Sequence, residues 1–204
     1  MVQCRGGASR LRARVASAPE IPDYGSADGE KPLGDRIGNG LAVLTLGLML
    51  LVLWHSFRRL GRPAASPARS PLLLVILVGL GISAYTAYTS LADVAPMCGA
   101  VSGCAEVQNS EYSRLFGIPM GVLGLIGYAG ILVTWLIGRR WSPAGGGWRW
   151  LPWGIALFGV LFSLRLTYLE PFVIGHTCIW CLGSALSITA ALWLLSGETR
   201  AAAV

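Results

Sequence analysis

The chain of 204 residues is 54% apolar and only 13% charged, and its formal net charge is +6. Soluble globular domains average about 25% charged residues, so this composition argues against a soluble enzyme. The positive charge comes almost entirely from arginines that lie between apolar runs, which membrane topology explains better than nucleic-acid binding. We therefore expect the chain to contact a lipid bilayer and not nucleic acid.

A polar segment, residues 1–36, precedes the first apolar run. It is rich in Arg, Ala, Gly, Pro and acidic residues and shows no apolar periodicity, which is typical of a disordered tail. The apolar run begins too late for a signal peptide, and no small-residue cleavage site follows it. The sequence predicts an N-terminal tail that is not a signal peptide.

Five apolar runs follow, each about as long as a membrane-spanning helix. A helix needs about 20 mostly apolar residues to cross the hydrocarbon core of a bilayer. The runs cover residues 37–57, 71–92, 119–138, 151–169 and 177–196. Glycine and other small residues recur inside them, which allows helices to pack closely in lipid. We predict an all-α integral membrane protein in which one extra N-terminal span precedes a four-helix transmembrane bundle.

The arginines predict how these spans are oriented. Linker 58–70 holds four arginines and linker 139–150 holds three, and neither contains an acid, so both are predicted to be cytoplasmic. Loops 93–118 and 170–176 carry more acidic than basic residues and are predicted to face outward. The C-terminal tail, residues 197–204, is then predicted to lie inside.

The strongest local signal is Cys178-Ile179-Trp180-Cys181, at the start of the fifth run. C-x-x-C spacing on a helix places both sulfurs on one face, one turn apart, so that they can close a disulfide. Thr177 is the predicted N-cap, which puts Cys178 in the first turn, where the helix dipole stabilises a thiolate. Two alternatives stay open: small apolar residues in a membrane helix, or half of a thiolate metal site.

A second pair, Cys98 and Cys104, lies in loop 93–118 with glycine and serine between the two sulfurs, a composition flexible enough to bring them together. Taken alone, this pair is also explained by a static structural disulfide. Two dithiols on one face can instead pass a disulfide between them by thiolate exchange, and the outer face is where disulfides persist. After Cys104 we predict a short amphipathic segment with a turn at Gly117.

Two blocks of sequence accompany these cysteines. NSEYSRLFGIPMGVLG follows the loop pair, and YLEPFVIGHTCIWCLGSA heads the last span. Together with the paired loop cysteines they resemble the bacterial vitamin K epoxide reductase family over about residues 71–196. The resemblance implies a four-helix bundle that holds a quinone, either ubiquinone or menaquinone, near the C-x-x-C pair, and it calls for no metal.

The resemblance also implies a role for each cysteine. Cys104 would form a mixed disulfide with a thioredoxin-like, DsbA-like partner protein. Cys98 would relay electrons to Cys178, and Cys181 would react with the quinone. Bacterial members of the family resemble DsbB in role: they oxidise a periplasmic thioredoxin-like protein and reduce a quinone in the inner membrane, which supports disulfide formation.

For the quinone head group the resemblance points to Ser110, with Asn109 and Ser113 as alternatives and Cys181 as the reacting contact. Many bacterial members carry a fused thioredoxin-like domain after the last helix. This sequence ends at Val204, so we expect a separate partner protein.

Other functions stay open from the sequence. The main output of the same relay could be reduction of a quinone or quinone epoxide, and the chain could instead be a thiolate metal-handling protein or a structural subunit with stabilising disulfides. Among the remaining charges, Arg165 lies near the outer end of the fourth run. A charge inside a span suggests a functional residue, but we favour an arginine that reaches the membrane interface or pairs with Glu170.

Overall fold

A computed structural model describes residues 33–59, 69–98, 103–141 and 150–198. The predicted tail up to residue 32, the middle of the first arginine-rich linker, most of the second and the last six residues lie outside the described residues.

Five long helices make up most of the described part of the chain. They are α1 (Leu33–Arg59), α2 (Arg69–Leu91), α4 (Met120–Trp141), α5 (Trp150–Leu169) and α6 (Ile179–Glu198), with the short α3 (Cys104–Asn109) between the second and third. Each long helix is long and apolar enough to cross a membrane. This confirms the prediction of an all-α membrane protein with five spans.

Helices α2, α4, α5 and α6 form a bundle in which α2 and α5 each pack against both α4 and α6. Each of the four contributes a fully buried aliphatic side chain to one core cluster: Ile76, Ile131, Val160 and Leu192. The extra helix α1 packs on the outside against α5 and α6. Because lipid tails are as apolar as these side chains, close packing rather than exclusion of water holds the helices together.

A glycine on α2 makes room for an aromatic ring that joins three helices. A Cβ atom at Gly79 would overlap the ring of Tyr128 on α4. Tyr128 is 3% exposed, and its hydroxyl donates to the Ser184 carbonyl oxygen on α6 at 2.8 Å. The ring therefore links α4 to α6 across the face of α2, and a side chain at position 79 would block it.

The segment between α3 and α4 folds as a 3-10 turn (Glu111–Ser113) followed by a small hairpin. Strand β1 (Arg114–Leu115) pairs antiparallel with β2 (Ile118–Pro119). Phe116 and Gly117 make the turn with φ of 52° and 80°, and two-residue hairpin turns favour such positive values. The sequence predicted the turn at Gly117 but not the hairpin, because two-residue strands are too short to show alternation.

Helix α5 continues beyond Leu169 through a π-helical turn, Glu170–Ile174. Gly175 ends this turn with φ of 77°, and its N–H donates to the Glu170 carbonyl oxygen at 2.8 Å. The sequence analysis placed Glu170 in an outward loop and considered a pair with Arg165. The structure contradicts that pairing: Glu170 is 2% exposed, Arg165 is exposed, and no ion pair joins them in the described chain.

We expect Gly79→Ala to lower the thermal stability of the purified protein in detergent, because the added Cβ displaces the Tyr128 ring. Overpacking of this kind typically destabilises by about 1–3 kcal/mol. Gly81→Ala is the matched control on the same helix, since a Cβ there meets nothing within 4 Å. Thermal unfolding of both variants under identical conditions measures the difference, and equal stability of the two would contradict the packing described.

Candidate functional site

The four cysteines predicted to be redox-active lie in one cluster at one end of the bundle. Cys104 and Cys178 are fully buried and pack with Val107, and Cys98 and Cys181 pack against them. Cys98 and Cys104 form a disulfide with an S–S distance of 2.07 Å, whereas Cys178 and Cys181 are free thiols. A disulfide and a dithiol therefore lie side by side, the arrangement that thiol–disulfide exchange requires.

The C-x-x-C pair lies at the N-terminal end of α6. The helix begins at Ile179, and the N–H of Leu182 donates to the Cys178 carbonyl oxygen at 3.0 Å, so Cys178 occupies the N-cap position. The prediction that Thr177 caps this helix is wrong, because the Thr177 hydroxyl donates to Asn39 at 3.1 Å instead. Cys178 still lies at the positive end of the helix dipole.

The Cys178 thiol has a pKa below the ordinary value for cysteine. The first cause is a hydrogen bond with the Cys181 side chain, and hydrogen bonds with the backbone of Cys181 and Trp180 act in the same direction, against the effect of burial. A thiol with a lower pKa is a better leaving group in thiol–disulfide exchange. Cys178 is therefore suited to exchange with the loop pair beside it.

The extra helix α1 holds the segment that precedes Cys178. Asn39 Oδ1 accepts the Thr177 hydroxyl at 3.1 Å, and Asn39 Nδ2 donates to the Gly175 carbonyl oxygen at 3.5 Å. Thr177 is 1% exposed, so its hydroxyl depends on this partner. Sequence reasoning missed Asn39, because one polar residue near the end of an apolar run resembles an ordinary interfacial residue.

Two aromatic residues hold the loop at Met97, next to Cys98. The Met97 N–H donates to the Tyr85 hydroxyl oxygen, and Trp180 Nε1 donates to the Met97 carbonyl oxygen, both at 2.9 Å. The centres of the Tyr85 and Trp180 rings are 4.5 Å apart. Trp180 belongs to the C-x-x-C tetrapeptide, whose cysteines Cys178 and Cys181 are called the inner pair below. One side chain therefore fixes the inner pair relative to the loop pair, Cys98 and Cys104.

Gly103 lets the loop come close to the start of α6. A Cβ at this position would lie 2.8 Å from the backbone nitrogen of Thr177 and 2.8 Å from the Cβ of His176. These distances are shorter than van der Waals contact allows. A residue without a side chain is therefore needed immediately before Cys104 for that cysteine to pack against Cys178.

Glu170 places a carboxyl group within the cysteine cluster. Its Oε2 accepts the N–H of Cys178 at 3.3 Å, and the carboxyl interacts electrostatically with the Cys181 thiol. Sequence reasoning missed this residue because an acid just after an apolar run is ordinarily a solvated loop charge. The signal that points to it is Pro171, which marks an irregular turn directly after the acid.

A cavity of about 260 Å³ lies inside the bundle beside the C-x-x-C pair. Its lining is mainly apolar and comes from α2, α4, α5 and α6. Cys181 and Glu170 line it. Of the loop residues predicted to contact a quinone, Ser110 and Ser113 line the cavity, whereas Asn109 is exposed and is not part of the lining.

Gln108, one of the residues that line the cavity, carries a side-chain N–H group without a partner among the described residues. Gln108 Nε2 is buried without a partner in the described chain, while Gln108 Oε1 accepts the Thr89 hydroxyl at 3.2 Å. The Ser110 hydroxyl donates to the Val107 carbonyl oxygen at 2.7 Å, so its proton is already engaged. A buried unused donor suits a ligand carbonyl oxygen.

The size and chemistry of the cavity fit the ring of a quinone. Ligand pockets usually measure about 300–1,000 Å³, so a cavity of about 260 Å³ suits a head group rather than a complete isoprenoid lipid. Apolar walls would contact the ring, and Gln108 is among the few polar residues that line the same space.

Comparisons with known proteins found similar sequences. A family model described as the vitamin K epoxide reductase family matches residues 70–196, a range that contains all four cysteines and excludes α1. The chain is 31% identical over 117 residues to the thiol-disulfide oxidoreductase LTO1 of Arabidopsis thaliana. The alignment covers 50% of this chain but only 29% of that relative, so the chain spans less than a third of the relative's length.

We expect Asn39→Ala to make Cys178 more accessible to a thiol-alkylating reagent, because the segment before it loses both hydrogen bonds to α1. Two such bonds stabilise by about 1 kcal/mol each, which corresponds to an alkylation rate roughly ten times higher or more. Mass spectrometry of the alkylated protein, with all cysteines first reduced, measures the rate at Cys178.

Thr45→Ala is the control for this experiment. Thr45 also lies on α1 and is 7% exposed, but its hydroxyl bonds to the Leu41 carbonyl oxygen within the helix. An unchanged alkylation rate in Asn39→Ala would show that α1 does not hold this segment.

Proposed function

Because the chain belongs to the vitamin K epoxide reductase family, we propose that it is a membrane oxidoreductase that oxidises the thiols of a thioredoxin-like protein and passes the electrons to a quinone. The observation that carries the proposal is the cluster in which both cysteine pairs meet, beside a cavity lined by Cys181. The relative's name, a thiol-disulfide oxidoreductase, supports the thiol half of the reaction.

Burial of the loop sulfurs favours one order of exchange. Cys98 is half-buried, whereas Cys104 is fully buried and packs with Cys178. A partner thiolate therefore reaches the loop disulfide more easily at Cys98. This order is the reverse of the one implied by the resemblance, in which Cys104 meets the partner.

The exchange then proceeds through defined bonds. A partner thiolate attacks the Cys98 sulfur, and the partner's second thiol displaces Cys98, which leaves the loop cysteines as a dithiol. The Cys104 thiolate attacks Cys178 of a Cys178–Cys181 disulfide, and Cys98 then attacks Cys104 and restores the loop disulfide. Two electrons have moved inward, and Cys178 and Cys181 are thiols, as they are in the structure.

The inner dithiol is reoxidised from the cavity side. A quinone held in the cavity would supply the oxidant for this step, accepting the two electrons that leave Cys178 and Cys181. Cys181 lines the cavity and Cys178 does not, so Cys181 faces the acceptor, and Gln108 Nε2 is the donor that would orient it.

Charge supports an outward position for the cysteines. Asn39 contacts the cysteine end of the bundle, and Arg58 lies near the other end of α1, about 28 Å away along the helix axis. Arg140 lies at the C-terminal end of α4, which begins directly after the hairpin of the cysteine loop. The excess of arginine at the end away from the cysteines favours a cytoplasmic location for that end.

The relay predicts that quinone reduction depends on both cysteine pairs. We expect the purified protein, with a reduced thioredoxin-like protein as donor, to reduce a short-chain quinone, followed by its absorbance. Cys98→Ser/Cys104→Ser and Cys178→Ser/Cys181→Ser are each expected to abolish turnover. The fifth cysteine of the chain, Cys4, belongs to neither pair, so Cys4→Ser is the control expected to retain turnover. Full turnover without either pair would overturn the proposed function.

The order of exchange is tested with a donor that has one thiol. A thioredoxin-like protein whose second active-site cysteine is replaced by alanine stays attached to the sulfur that it attacks. We expect peptide mass spectrometry to find it on Cys98, because Cys104 is fully buried. Attachment to Cys104 would restore the order that the resemblance implied.

A further inference from the structure

We propose that Glu170 is a catalytic residue that carries protons between the inner cysteine pair and the cavity. It accepts the proton of the Cys181 thiol and releases it to an oxygen of the quinone as the disulfide forms. This inference rests on the proposed function, because it names the group that moves protons within the same site.

Three observations on Glu170 support this role. Its Oε2 accepts the N–H of Cys178 at 3.3 Å, its carboxyl interacts electrostatically with the Cys181 thiol, and both Glu170 and Cys181 line the cavity. With 2% of its surface exposed, the side chain is shielded from water. The carboxyl group therefore lies at the same cavity as the sulfur that loses a proton.

The backbone departs from α-helical geometry at Glu170, and this departure helps to bring the carboxyl group to the cysteines. Glu170 is the first residue of the π-helical turn that ends at Gly175. Insertions of this kind in helices occur frequently at functional sites. Here the turn joins the end of α5 to the segment leading to Cys178, so that the acid and the C-x-x-C pair meet although they come from different helices.

A purely structural role does not account for an acid at this position. The hydrogen bond from the Cys178 N–H needs an acceptor, and a glutamine oxygen would accept it equally well. Burying an ionisable carboxyl instead of an amide is unfavourable unless the group is paired or protonated. What the acid adds to an amide is the ability to bind and release a proton.

The chemistry balances without any further reactant. The S–H bonds of Cys178 and Cys181 break and one S–S bond forms, which releases two electrons and two protons. Both electrons and both protons pass to the quinone, which becomes the quinol. Glu170 takes up one proton at a time and returns to its starting state after each transfer.

The kinetic test compares Glu170→Gln with wild type in two half-reactions. We expect reoxidation of the inner dithiol by a short-chain quinone to slow by about 100-fold, the lower range for loss of an acid–base group. Exchange between the loop and inner pairs, measured without quinone, is expected to stay within about threefold of wild type. Glu111→Gln, an exposed acid outside the cavity lining, is the control expected to match wild type.

A second readout detects the proton itself and needs no quinone. In the infrared difference spectrum between reduced and oxidised inner pairs, we expect a protonated-carboxyl band in the wild type that is missing in Glu170→Gln. Quinone affinity, followed by quenching of Trp180 fluorescence, is expected to be similar in both proteins, because Gln keeps the shape of the site.

The outcomes separate the two proposals. A wild type that never reduces a quinone would overturn the proposed function, whereas the infrared comparison would still decide whether Glu170 binds the proton. Wild-type kinetics in Glu170→Gln, or an infrared spectrum that the substitution leaves unchanged, would overturn the role of Glu170. Equal slowing of both half-reactions would assign it a structural role instead.

Discussion

The site depends on a break in helical hydrogen bonding at residues 175–178, between the π-helical turn and α6. Near the apolar core of a bilayer, water is not available to pair the backbone groups that such a break frees. Side chains of the protein pair them instead: Asn39 donates to the Gly175 carbonyl oxygen, and Glu170 accepts from the Cys178 N–H. The break that requires these polar partners is also what presents Cys178 to the loop disulfide.

The loop and the inner pair are built as one unit around this break. Trp180 bonds to the backbone next to Cys98, and Gly103 permits contact with the backbone at Thr177. A relay by disulfide exchange needs sulfur atoms in contact, so the positions of the loop and of α6 must be fixed relative to each other. Trp180 achieves this through the hydrogen bond of its ring nitrogen, and Gly103 achieves it because it has no side chain.

The sequence predicts the spans and the cysteines because those signals are local. Apolar length identifies the five helices, and spacing identifies Cys178 and Cys181. The contributions of Asn39, Gln108 and Glu170 were not predicted, because each depends on which residues of distant segments lie beside it. The wrong prediction that Thr177 caps α6 has the same origin. Its hydroxyl donates to Asn39 on α1 instead, and the local sequence gives no sign of that partner.

Helix α1 lies outside the match to the family and yet reaches the redox centre through Asn39. The Asn39 side chain bonds to the segment before Cys178, and no residue of α1 lines the cavity. Substitutions at this one position therefore offer an engineer a means of adjusting how freely the inner cysteines move, and so the speed of thiol–disulfide exchange, without changing any side chain that lines the cavity beside Cys181.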